Sequence, residues 1–143
     1  MAPRSFTLHV PDQEIADLKA RLALTRFPDQ APGEPWAFGS SVTYIKDLVA
    51  YWRETFDWRA QEAILNSFPQ FKTELHGIDL HYLHVPGKGP NPTPLLLLHG
   101  WPGSVFEFFD IIPRLTDPAA FGGDPADAFT VIAPSLPGYG LSF

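Results

Sequence analysis

A site that stabilises negative charge on oxygen needs backbone N–H groups that the chain has not already used. The segment His99-Gly100-Trp101-Pro102-Gly103-Ser104 has the composition to supply one. It follows the apolar run Leu95 to Leu98 and precedes a helix start, and the carboxyl end of a strand is where sites form in α/β sheets. Gly100 and Gly103 let the backbone turn sharply, while Pro102 fixes one φ angle and has no N–H to donate. Such a loop leaves the N–H of Trp101 free to point into a cavity as an oxyanion donor, worth on the order of 3 kcal/mol in a transition state. On glycine spacing alone, a plain strand-to-helix turn is an equally good reading. His99 is read as ordering the loop rather than moving protons, because no carboxylate lies nearby in sequence to orient it.

Other segments imitate catalytic groups. Gly77-Ile78-Asp79-Leu80 has the letters of a nucleophile elbow but falls in a hairpin turn, whereas an elbow needs a strand before it and a helix after it. Gly122-Gly123-Asp124-Pro125-Ala126 has them too, yet no buried strand leads into it. Pro125 would also replace the residue whose N–H completes the oxyanion hole. Ser135 lies in a proline-rich turn and lacks the elbow context of a serine hydrolase. His81 and His84, three apart on a strand, face opposite sides, so they are read as sheet-face or core histidines rather than a metal pair.

Positioning the loop requires a sheet, and the second half of the chain predicts one. Phe71 to Leu75 and Leu80 to Val85, joined through Gly77, read as a hairpin. Leu95 to Leu98 reads as a strand buried on both faces, and Phe129 to Ala133 as another. Between them, Ser104 and Glu107 form a capping box that opens a helix through about Ile112. The first half reads as helical. Asp12 caps a helix carrying Ile15, Leu18 and Leu22, with Asp17 and Arg21 paired on its polar side, and Phe27-Pro28 ends it. A second helix begins near Ser40 or Ser41 with the stripe Ile45, Leu48, Val49, Trp52 and Phe56. A third begins near Asp57 and buries Ile64 and Leu65. The expected organisation is therefore a helical region over 1–70 and an α/β region over 71–143.

Composition removes several function classes. A chain of 143 residues with 45% apolar content can form a hydrophobic core. No stretch approaches the roughly 20 apolar residues of a membrane span, and the first ten residues lack a secretory apolar run. A cytoplasmic location is expected. The absence of cysteine removes disulfides and thiolate metal sites. The net charge of -6 is interspersed rather than blocked, which argues against a nucleic-acid partner.

The loop His99 to Ser104 with Glu107-Phe108, followed by Pro134-Ser135-Leu136-Pro137-Gly138-Tyr139-Gly140, resembles the epoxide hydrolases of the microsomal and juvenile-hormone type. Upstream, Arg21 to Pro28, Tyr51-Trp52-Arg53, Phe56-Asp57-Trp58-Arg59 and Asn66 to Phe71 resemble that family's N-terminal region. The resemblance covers nearly the whole chain. It implies the N-terminal portion of an α/β-hydrolase sheet, incomplete and preceded by a helical region. It also implies a mechanism: an aspartate opens the epoxide to form an ester, lid tyrosines assist the leaving oxygen, and a histidine–carboxylate pair activates water. In that scheme the Trp101 N–H helps hold the oxyanion during ester hydrolysis, with His99, Gly100, Pro102 and Gly103 shaping the loop. No metal or organic cofactor is implied. The implied partners are a small hydrophobic epoxide in the complete enzyme and the missing C-terminal part of the same protein. The nucleophile, acid and histidine are expected beyond Phe143, so the chain alone is expected to be inactive. Two alternatives stay open: a short, catalytically inactive binding protein, or a fragment of another α/β-hydrolase such as a dehalogenase or esterase.

Overall fold

A computed structural model describes residues 2–143. The described residues form two compact units, one of residues 2–8 with 63–143 and the other of residues 9–62. This is a different cut from one at 70/71. Residues 4–5 pair with the sheet and Leu65 sits in its core, so both ends of the helical region belong to the sheet unit.

The sheet unit holds five strands, β1 (Arg4–Ser5), β2 (Gln70–Leu75), β3 (Ile78–Val85), β4 (Thr93–Leu96) and β5 (Phe129–Pro134), in the order β1-β2-β3-β5-β4. β2 and β3 form the expected hairpin, with Leu75 opposite Ile78 and a two-residue turn in which His76 and Gly77 both have positive φ, 51° and 82°. That is the conformation whose twist matches the flanking strands. β3 pairs antiparallel with β5, Leu83 facing Ala133 and Val85 facing Val131, and β4 pairs parallel with β5. β1 has no counterpart in the sequence reading, because two polar residues carry no periodic signal.

Leu83, Val131 and Ala133 point to one face and meet Leu65, Val105 and Ile112 in a fully buried cluster. At roughly 1.5–3 kcal/mol for each large apolar side chain removed from water, this cluster is the main stabilising feature of the sheet unit. Ile64, expected to be buried beside Leu65, is instead 44% exposed, because consecutive helical positions face about 100° apart. The run from Leu95 to Leu98 is also not buried on both faces. Leu95 and Leu97 pack against the core, while Leu96 and Leu98 are each 58% exposed, because successive strand residues point to opposite faces and only one face of β4 is covered by the described residues.

The capping box is present: the Ser104 N–H donates to Glu107 Oε1 at 3.1 Å, and Ser104 Oγ accepts from the Phe106 N–H at 3.3 Å. It opens a 3-10 turn, Val105–Phe108, and the helix proper, α4 (Ile111–Thr116), follows and packs on β5. The helix thus runs past Ile112 but is interrupted near its start.

The helical unit contains α1 (Asp12–Ala23), α2 (Val42–Glu54) and the first half of α3 (Trp58–Asn66), with α1 and α2 in contact. Asp12 is not the cap of α1. Pro11 occupies that position, and Asp12 is the first helical residue, its carboxylate paired with Arg59. α1 also stops at Ala23, ahead of Phe27-Pro28. Ser41 caps α2 by accepting from the Tyr44 N–H at 3.4 Å, and Asp57 Oδ1 accepts from the Ala60 N–H at 3.0 Å at the start of α3.

Candidate oxyanion-hole loop

β4 ends at Leu96, and the Leu97 N–H extends its pairing to Ile132 O at 2.9 Å. His99 follows, buried, with both ring nitrogens engaged: Nδ1 lies 3.0 Å from Gly100 O and Nε2 accepts from the Leu136 N–H at 3.0 Å. A backbone amide can only donate and a carbonyl can only accept, so this geometry requires the neutral ring with its proton on Nδ1. The edge of the ring meets Tyr139 at 5.4 Å between centroids.

The bond to Gly100 O has a direct consequence for Trp101. The Gly100 carbonyl and the Trp101 N–H belong to one planar peptide unit and point in opposite directions. Holding the carbonyl against His99 therefore aims the N–H away from it. Among the described residues that N–H donates no hydrogen bond. The indole is 82% exposed, and Pro102 follows through a cis peptide bond. A Cβ at Gly103 would lie 2.8 Å from Gly100 O and against the Glu107 carboxylate, so only glycine fits the close approach there. Gly100 has no positive φ, and no atom lies within 4 Å of where its Cβ would stand, so this chain sets no requirement for glycine there.

The five loop residues are contiguous and the structure brings the turn 134–140 against them. Leu136 and Tyr139, which belong to the second resembling motif but were given no role from sequence, hold His99 from across 37 residues or more, a distance no local signal spans. The imitators lie elsewhere. Asp79, on β3, pairs with Arg4 at 2.6 Å and Lys72 at 3.3 Å, and these cations hold its carboxyl below the usual range. Asp124 caps a 3-10 turn, accepting from the Ala126 N–H at 2.8 Å. His84 packs on the Phe71 ring on one face of the sheet, and His81 is buried on the other. Burial pushes His81 down from 6.5 to about 4, with the charge of Lys72 adding to it. Among the described residues no group of three or more histidine or carboxylate side chains is arranged to hold a metal ion.

A family model described as epoxide hydrolase N terminus matches residues 3–108. Epoxide hydrolase 1 of Oryctolagus cuniculus is 45% identical over 97% of this chain and 31% of its own length. Juvenile hormone epoxide hydrolase 2 of Ctenocephalides felis is 39% identical over 97% of this chain and 30% of its own. The solved structure of Aspergillus niger epoxide hydrolase superposes with a TM-score of 0.85 at 35% identity, covering 99% of this chain and 37% of that one. The chain thus spans about a third of the length of these relatives, and its sheet and helices match part of the α/β-hydrolase fold of such enzymes. With the family model covering most of its length, the chain belongs to the epoxide hydrolase N-terminal family.

Proposed function

We propose that this chain supplies the oxyanion loop of an enzyme that converts an epoxide and water into a vicinal diol through an aspartyl ester. A carboxylate attacks an epoxide carbon, the C–O bond breaks, and the alkoxide takes a proton from an acid. Water, deprotonated by a histidine, then attacks the ester carbonyl. The resulting oxyanion is held by the Trp101 N–H until the bond between the acyl carbon and the diol oxygen breaks; that oxygen leaves with the proton the histidine had taken, and the regenerated carboxyl group returns its proton to the acid. The nucleophile, acid and base of this scheme belong to the part of the relatives' length that the chain does not span. Splitting one hard step into two is the physical gain of covalent catalysis.

The observation that carries this reading is the Trp101 N–H, without a partner among the described residues while the carbonyl of its own peptide is fixed by His99. A donor held in place before the charge develops needs no reorganisation when it does. The test uses this chain completed, in one polypeptide, by the remaining part of the Aspergillus niger enzyme. Trp101→Pro deletes the donor and should slow ester hydrolysis by about a hundredfold or more, while Trp101→Ala keeps it and should cost only a few-fold. Rapid-quench kinetics separate ester formation from hydrolysis, and an accumulating ester shows that the proline variant is folded. Equal slowing by alanine and proline would remove the backbone assignment.

A further inference from the structure

His81 sits on the inward face of β3 beside Leu83 and opposite Ser135, fully buried. An apolar side chain would serve the sheet there at lower cost, since a buried polar group without partners loses several kcal/mol. His81 has partners at every polar atom. Gln70 Nε2 donates to Leu65 O at 3.2 Å and Asn66 Oδ1 at 2.9 Å, which turns Gln70 Oε1 toward His81 Nε2 at 2.9 Å. An amide oxygen only accepts, so Nε2 carries the proton, and Nδ1 accepts from Ser135 Oγ at 2.9 Å. The His81 backbone N–H donates to Ser142 Oγ at 2.9 Å, and its carbonyl accepts from the Ser135 N–H at 3.0 Å.

These bonds converge where the regular ladder fails. β3 and β5 pair as far as Tyr82 and Pro134; one step further the Ser135 N–H still donates to His81 O, but the His81 N–H turns to Ser142 Oγ instead of completing the pair at Ser135 O. Beyond Pro134 the chain leaves the strand, and Ser142 Oγ donates to Ser135 O at 2.7 Å. The Ser135 carbonyl shares a peptide plane with the Leu136 N–H, the group that holds His99 Nε2. Two peptide planes are therefore fixed in series by their carbonyls, 135–136 by Ser142 and 100–101 by His99, each aiming its N–H at the next target.

We propose that His81 is a positioning residue for the oxyanion loop, acting through Ser135 and the 135–136 peptide on His99 and so on the Trp101 N–H. The assignment rests on the function proposed above, but its structural half can be read without activity. In the completed polypeptide, three variants separate the ring's two ends. His81→Asn places an acceptor where Nδ1 stood, His81→Gln a donor where Nε2 stood, and Ser135→Ala removes the hydroxyl between them. His81→Gln and Ser135→Ala should abolish the trans-hydrogen-bond coupling between the Leu136 amide and His99 Nε2 in histidine-selective 15N spectra. They should also slow ester hydrolysis about tenfold to a hundredfold while ester formation changes little, as expected when a remote change loosens a reacting group's support. His81→Asn should retain the coupling and most of the hydrolysis rate. If His81→Gln does not fold, Ser135→Ala decides alone. Coupling that survives in the folded variants, or an asparagine variant as impaired as the glutamine one, overturns the proposal. Coupling lost with hydrolysis unchanged would leave the relay standing and remove the oxyanion reading. Slow hydrolysis in Trp101→Pro with no effect of the other variants on coupling or rate would do the reverse.

Discussion

The sheet unit and the helical unit are stabilised by different means. Among the described residues, all seven buried apolar ones, from Leu65 to Ala133, belong to the sheet unit. α1 and α2 bury none, and the buried residues of the helical unit are Ser41 and Glu62. What fixes that unit is polar: Arg59 donates to Glu62 Oε1 at 2.9 Å and Val10 O at 2.8 Å and pairs with Asp12, while Glu62 Oε2 accepts from the Val10 N–H at 2.8 Å. The Val10 N–H and then Arg59 keep the Glu62 carboxyl below its ordinary range. Tyr44, Leu48, Tyr51 and Trp52 stay exposed, and the buried Trp58 indole N–H has no partner among the described residues. Helices are thus present where a core is not. Amphipathic stripes can specify helical geometry, but stability comes from what the stripe is buried against.

Truncation should expose the difference most strongly. Leu83→Ala opens a cavity in the sheet core and should cost about 2–5 kcal/mol, whereas Leu48→Ala, on the exposed side of α2, should cost about 0.5 kcal/mol or less. Hydrogen exchange read peptide by peptide resolves the two units separately. A loss of protection in α2 after Leu48→Ala as large as that in β3 after Leu83→Ala would mean the helical unit has a core of its own.

Acid sharpens the contrast with a smaller effect. His81 is neutral in the folded sheet and pushed down to about 4 from 6.5, so between these values the unfolded chain binds a proton that the folded chain does not. Stability contributed by the neutral ring is complete above 6.5 and declines as pH falls, by at most about 3 kcal/mol on reaching 4. The charge facing the ring is Lys72, itself paired with Asp79, and Phe6 covers it edge-on. The helical unit's paired carboxylates, Asp12 and Glu62, are lowered and lose their contribution only further down, as pH falls through the carboxylate range. Protection factors in β3 and β5, corrected for the pH dependence of intrinsic exchange, should therefore fall from pH 6.5 to 4 before those of α1. His81→Asn should abolish the early phase. An unchanged pH profile in that variant would assign the effect to another group.

What the sequence made legible was local or periodic. Ser104 and Glu107 are three residues apart, and the box they predict is formed; the hairpin and the strand from Phe129 were equally readable. Legibility ended where a residue's role depends on distant partners. Nothing near His81 announces Gln70, Ser135 or Ser142, up to 61 residues away. Asp12 has a good cap residue's chemistry, but Arg59, 47 residues on, engages its carboxylate instead. The Leu95 to Leu98 run reads as buried on both faces because all four residues are apolar, whereas only the face carrying Leu95 and Leu97 is covered by the described residues. Of the loop, residue types suggested a free donor at Trp101, but the His99 ring state and the Leu136 contact that hold it needed the fold.

The smallest effect lies in the hairpin turn and tests whether the sheet unit's stability extends to its periphery. His76 and Gly77 both occupy the left-handed region, as a two-residue turn of this twist requires. A histidine tolerates that region better than most residues but less well than asparagine in this turn. His76→Asn should therefore stabilise β2 and β3 by about 0.5 kcal/mol, and Gly77→Ala should destabilise them by about 1 kcal/mol. No atom lies within 4 Å of where the Gly77 Cβ would stand, so the second cost is one of backbone conformation alone. Because the turn is shared by β2 and β3 and the core is on β3 and β5, the size of the response is informative. A change seen equally in β5 amides means the sheet unfolds as one cooperative body. A change confined to residues 70–80 means the hairpin frays on its own, and the Gln70 to His81 contact at its base then marks where fraying stops.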